Sequence, residues 1–263
     1  MKNIIKIVLL PVLCVGLLAG CANSADEALS LKKNDTLYQV STINSLLAGN
    51  YDGFISSGEL KNYGDVGIGT FNALDGEMVM IDNTAYKVKS TGEVVKVSDT
   101  ETTPFAVVTH FDKDATVELT NIANLDALKA ELDKLIENKN LFYVFRIDGT
   151  FKTIQARSVP RQEKPYPVMT EAVKQQSVFS FTNVTGSIVG IWCPDYIGGV
   201  NVPGYHFHFI SEDRTQGGHL LDVSFDKALA FADSTDGFVM AVSPTEPEGS
   251  VKDLGSELDA VEQ

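Results

Sequence analysis

Three of the chain's four histidines fall within the sixteen positions from Gly204 to His219, and three imidazoles are enough to hold a metal ion. His206 and His208 are two apart in Tyr205-His206-Phe207-His208-Phe209, so on a strand they share one face while Phe207 and Phe209 share the other. The polar run that follows ends in Gly217-Gly218 and suits a reversal that returns His219 beside the first pair. Three neutral imidazoles with a fourth position open form the ligand set of a catalytic zinc, whereas closed structural sites use more cysteine. His110, alone in Val107-Val108-Thr109-His110-Phe111, reads as a packed or surface residue.

The elements that must position these histidines are mostly strands. Runs rich in β-branched and aromatic residues occur at 67–71, 77–81, 86–88, 93–97, 105–111, 143–149, 150–158, 178–182, 187–192, 205–210, 219–225, 227–232 and 237–242, separated by turn residues. Asp148-Gly149 reads as a turn between two of them. Helical spacing is clearest from Asn124 to Asn138, where Leu125, Leu128, Leu132, Leu135 and Ile136 form one stripe and Asn124 can cap the start. Shorter helices are expected over Leu37–Leu47 and near Thr170–Gln176. Few helices and many strands without regular β-α alternation predict an α+β fold, β-rich with mixed or antiparallel sheets, its zinc site on paired strands in the C-terminal half. The acidic tail from Pro244 to Gln263 reads as disordered.

Met1-Lys2-Asn3-Ile4-Ile5-Lys6 followed by an apolar run through Ala19 reads as an export signal, too short for a stable membrane span. It closes in Leu18-Ala19-Gly20-Cys21, which resembles a bacterial lipobox that would lipidate Cys21. Residues 1–20 are then the signal and 21–36 a flexible tether, so the protein is expected to be an exported, membrane-anchored lipoprotein touching the membrane only through its lipid. Residues 37–263 suffice for one large domain, or two closely packed subdomains at about 37–165 and 166–263. Cys14 lies in the signal, which leaves Cys193 alone in the mature domain and no disulfide framework. A formal charge of −14 argues against nucleic acid, which requires a basic surface. An anionic substrate would need local cations, which a metal and one arginine would supply.

Three further segments accompany the histidines. Gly69-Thr70-Phe71-Asn72-Ala73-Leu74-Asp75-Gly76-Glu77 places a carboxylate after an Asp-Gly turn, at the start of an apolar strand. Phe145-Arg146-Ile147-Asp148 leads into Gln155-Ala156-Arg157-Ser158-Val159-Pro160-Arg161-Gln162-Glu163-Lys164-Pro165-Tyr166, dense in arginine and proline. Arg146 and Arg157 are separated by an odd number and would face opposite ways on one continuous strand, although a turn at Asp148-Gly149 would break that parity. Arg161 and Lys164 read as surface charges or salt-bridge partners. In this order, these motifs and the Gly204–His219 segment closely resemble the α-acetolactate decarboxylase family, from about Leu37 to the C-terminus.

The resemblance implies a zinc ion on His206, His208 and His219, with Glu77 and Arg157 lining the site and Thr70 in the pocket wall. It also implies a second glutamate from the C-terminal segment, Glu257 or Glu262, with Glu262 favoured by its place in the chain, and a homodimer. The implied reaction converts 2-acetolactate to acetoin and carbon dioxide, zinc chelating the hydroxy-ketone and a glutamate protonating the enediolate. Arginine gripping only the departing carboxylate would stabilise the ground state, so Arg157 is expected at a substrate oxygen near the metal. The alternatives are a non-enzymatic zinc-binding surface lipoprotein and a metal-dependent hydrolase or cupin-type enzyme. Convergence of Arg157 and Glu77 on the histidines would favour an enzyme.

Overall fold

The computed structural model describes residues 32–245 together with Glu257, Leu258 and Val261. The expected signal, Cys21 and Glu262 lie outside the described residues, as does most of the tail. The chain opens with β1 (Thr36–Val40), α1 (Ile43–Leu47), β2 (Ile55–Ser56), α2 (Ser57–Leu60), β3 (Val66–Thr70), β4 (Glu77–Ile81) and β5 (Thr84–Val88). It continues with β6 (Val94–Lys96), β7 (Thr102–Thr103), β8 (Ala106–Thr109), β9 (Ala115–Ile122) and α3 (Leu125–Leu132). Then come β10 (Phe142–Ser158), α4 (Met169–Ala172), β11 (Ser177–Cys193), β12 (Gly204–Ser211), β13 (Gly217–Thr235) and β14 (Gly237–Ala241).

These strands build two large sheets. One runs β14-β1-β8-β3-β4-β5-β6 and is antiparallel except for the parallel β1–β14 pair. The other runs β10-β11-β12-β13-β9, and pairing of β10 with β13 closes its first four strands into a ring. The expected β-rich α+β class with mixed and antiparallel sheets is the class observed.

Side-chain alternation sorts the cores. Val79 and Ile81 of β4, Val144 of β10, Val189 and Ile191 of β11 and Ile210 of β12 meet in one core that both sheets share. Phe207 and Phe209 turn the other way, into a core with Phe145, Phe151, Phe225 and the α3 residues Leu128 and Leu132. Burying each leucine contributes roughly 1.5–3 kcal/mol. Asn124 accepts the Ala127 N–H at 2.8 Å and caps α3, a contact worth about 1 kcal/mol.

Several sequence expectations change. Leu37–Leu47 is a strand followed by a short helix, because Tyr38, Gln39 and Val40 pair with β8 on one side and β14 on the other. Asp148-Gly149 makes no turn: β10 continues for 17 residues, with Asp148 opposite Ser187 and Gly149 opposite Gly186. Asp148 instead accepts hydrogen bonds from Arg146 Nε and Ser187 Oγ. The runs 178–182 and 187–192 belong to the single strand β11, and 219–225 and 227–232 to β13. β9 was not anticipated. A boundary near residue 165 does not follow the sheets, because β14 pairs with β1, and β9 and β10 lie beside β13.

Candidate metal centre and active site

Strand register assembles the histidines. His208 stands directly opposite His219 across the β12–β13 pair, and His206 follows two positions along β12 on the same face. His206 Nε2 lies 3.1 Å from His208 Nε2 and 3.1 Å from His219 Nδ1. All three ligand nitrogens fall within 4.8 Å of one another.

The reversal between β12 and β13 differs from the expected glycine turn. Ser211 Oγ accepts the Thr215 and Gln216 N–H groups, and Asp213 accepts from Ser211 and Thr215, so polar side chains shape the bend. Gly217 and Gly218 already belong to β13. Gly218 has φ +139°, and a Cβ there would lie 2.5 Å from the Arg157 carbonyl oxygen. It is glycine so that β10 can come close.

Arg157 stands opposite His219 across the β10–β13 pair, which puts the guanidinium beside the imidazoles. It is 2% exposed. Its Nη1 donates to Glu77 Oε1 at 3.2 Å and its Nη2 to the Val261 carbonyl at 2.5 Å. Its Nε is buried with no hydrogen-bond partner among the described residues. Arg146 shares the Arg157 face of the unbroken strand, since it stands opposite Val189 and Val189 stands opposite His208, but it lies farther along β10 and pairs with Asp82 and Asp148. The inward-facing parity of β10 switches between Phe151 and Ile154, so the odd separation does not place the two arginines on opposite faces. Arg161 and Lys164 bond to Asp75 and Asp52 at the surface, as their motif suggested.

Glu77 comes from the other sheet. The bend before it is strained into place: Ala73 and Leu74 have positive φ, and Gly76 at φ +85° would place a Cβ 2.4 Å from the Val88 carbonyl oxygen. Alternation along β4 then turns Glu77 towards the core shared by the sheets, with Val79 and Ile81. Glu77 is 7% exposed and places Oε2 3.6 Å from His208 Nε2. Thr70, opposite Glu77 on β3, donates its hydroxyl to the Gly76 carbonyl at 2.8 Å and lines the same pocket.

The remaining wall is apolar, formed by Ile43, Leu46, Leu74, Phe105 and Met169. Burial, followed by the charge of Arg157, lowers the His206 pKa to about 3. Burial likewise holds His208 well below the usual imidazole range, with His206 and Arg157 adding to it. His208 Nδ1 lies 2.7 Å from the Met78 carbonyl, which must accept its proton and leaves the Nε2 lone pair facing the other histidines. Three imidazoles converging on one point, with His206 and His208 held neutral and the His208 lone pair turned inward, fit a divalent transition metal. Glu257 is half-buried and is not among the residues lining the pocket. The Met78 and Val261 carbonyls were not foreseen, because a backbone acceptor leaves no residue-type signature.

This geometry has known counterparts. The alpha-acetolactate decarboxylase family profile matches residues 37–253. An alpha-acetolactate decarboxylase of Methanosarcina mazei is 48% identical over 230 residues, spanning 88% of this chain and 80% of that protein. One from Bacillus licheniformis is 44% identical over 74% of this chain and 78% of its own length. The crystal structure of alpha-acetolactate decarboxylase from Bacillus subtilis strain 168 superposes with a TM-score of 0.84 at 38% identity, covering 86% of this chain and 99% of that one. The chain belongs to the alpha-acetolactate decarboxylase family.

Proposed function

We propose that this protein is a carboxy-lyase that decarboxylates 2-acetolactate to acetoin and carbon dioxide, with zinc as its metal on His206, His208 and His219. The observation that carries this reading is the convergence of Glu77 from one sheet and Arg157 from the other on the three imidazoles. A metal-capture lipoprotein needs the histidines but has no use for the arginine and carboxylate. Bound there, zinc would act as a Lewis acid towards charge developing on the substrate's ketone oxygen.

The chain's own residues supply the rest. The Arg157 Nε–H, buried and without a hydrogen-bond partner among the described residues, is the donor for a substrate oxygen, while its two Nη groups are held by Glu77 and Val261. This fixes the guanidinium before substrate arrives, so the arginine orients the substrate without reorganising. Loss of carbon dioxide breaks the carbon–carbon bond and leaves its electron pair delocalised as an enediolate. Glu77 delivers a proton to the carbon that lost the carboxylate, and solvent restores the glutamic acid. Glu262 is the other candidate donor. The apolar wall of Ile43, Leu46, Leu74, Phe105 and Met169 suits the substrate's methyl groups and limits water.

Incubation with racemic acetolactate, with and without chelator, followed by acetoin detection is the direct test. Acetoin formation that survives complete metal removal would sink the metal part of the reading. In Glu77→Gln, turnover should fall while metal content is retained, and unchanged turnover would assign the proton to another group. We also read Cys21 as a lipid attachment site and the enzyme as a homodimer. Fatty-acid labelling abolished by Cys21→Ser, and a sedimentation mass of two chains, are the expected results.

A further inference from the structure

A second polar cluster lies at the far end of β13. Asp233 and Thr235 project from the same face of that strand, opposite Val144 and Phe142 of β10, and both are 0% exposed. Asp112 and Asp114, in the segment between β8 and β9, complete the group. One carboxylate oxygen from each of Asp112, Asp114 and Asp233 lies within 4.8 Å of the other two. None of the three aspartates takes part in an ion pair among the described residues. The nearby Lys113 instead places its Nζ 3.8 Å from the centroid of the Phe231 ring, and Lys32 pairs with Asp35 at 3.2 Å.

Three buried oxygens here have no hydrogen-bond partner among the described residues: Asp112 Oδ1, Asp233 Oδ1 and Thr235 Oγ1. Among the described residues, the other oxygen of Asp233 accepts only a long bond from the Asp112 N–H, at 3.3 Å. Asp114 is held by Ser234, whose N–H and hydroxyl donate to its Oδ2 at 2.9 and 2.7 Å. Unpaired buried oxygens are costly, and clustered carboxylates multiply that cost by repulsion. A hard cation removes both penalties together.

We infer that Asp112, Asp114 and Asp233 form a second metal site, which binds a hard divalent cation of calcium size and has a structural role. All the donors are oxygen, the preference of calcium rather than zinc, and a separation of up to 4.8 Å suits oxygens across an ion at about 2.4 Å. Asp114 is exposed, so water can complete the coordination shell. The cation would tie the segment before β9 to the end of β13.

The test uses the full zinc-loaded protein, dialysed free of other divalent ions and titrated with calcium chloride at constant ionic strength. Calorimetry should show saturable binding of about one calcium per chain, with Kd on the order of 0.1–1 mM, and the Tm should rise. Asp233→Asn and Asp112→Asn should each weaken binding about tenfold or more, while His208→Ala should leave it intact. Absence of saturable binding, or an unchanged Kd in both aspartate variants, would overturn the site and leave Asp233 as a buried neutral acid. A magnesium response equal to that of calcium would overturn the assignment by size.

Discussion

The two ends of β13 present polar side chains to the same space between the sheets, but burial acts on them in opposite directions. At His219 the site is built from imidazoles, and burial holds His206 and His208 neutral, with the His206 pKa lowered to about 3. At Asp233 it is built from carboxylates, and burial, reinforced by Asp112 and Asp114, raises the Asp233 pKa to about 8. A neutral imidazole is ready to ligate a metal. A protonated carboxyl must first release its proton. The ends also differ in compensation: Arg157 at the histidine end is matched by Glu77, whereas no cation pairs with the aspartates among the described residues. Fourteen positions separate His219 from Asp233, about 45 Å along an extended strand, so the two ends should respond independently.

The largest expected effect breaks one end alone. His208→Ala should reduce bound zinc and acetoin formation to background together, measured by elemental analysis and product assay, because two nitrogens remain where three are needed. Arg157→Met comes next. It leaves the Glu77 carboxylate buried without its cation, and should cost about 3 kcal/mol of stability by denaturant titration and roughly 100-fold in kcat/KM. Adding Glu77→Gln should restore part of the stability but none of the activity.

A smaller effect concerns proton linkage in the metal-free protein. His206, ordinarily at 6.5 and lowered to about 3, binds protons more readily unfolded, so it makes stability fall as pH drops from about 6.5 towards 3. Asp233, ordinarily at 3.8 and raised to about 8, binds its proton more tightly when folded. Its contribution therefore falls as pH rises from about 4 to 8. The groups bearing on Asp233 are Asp112, Asp114 and Asp35, all acidic. Asp233→Asn should gain stability over the parent across that window, by on the order of 1–3 kcal/mol at its upper end. An advantage that does not vary with pH would refute the buried-acid description.

What the sequence revealed follows the same division between side chain and backbone. His206, His208 and His219 were legible from residue type and spacing, Glu77, Arg157 and Thr70 only through the family resemblance of their motifs, and the structure brings all six to one pocket. The strand around Phe207 and Phe209 was legible from its period of two. Asp148-Gly149 misled because its residues favour turns, yet pairing on both sides of β10 overrides that local preference. Leu37–Leu47 misled for a related reason, since the partners of β1 lie far away in sequence. β9 was obscured because it is an edge strand whose alternation fades among polar residues. The aspartate cluster joins residues more than one hundred positions apart, and no short motif could announce it.

The facing pairs His208–His219 and Arg157–His219 make metal uptake a readout of folding quality. A one-residue slip of β13 against either neighbour would turn His219 to the opposite face, leaving a protein of nearly normal secondary structure with no complete ligand set. After refolding or heterologous production, the metal-to-chain ratio would therefore count molecules whose strands have paired in the native register, a distinction that circular dichroism would miss.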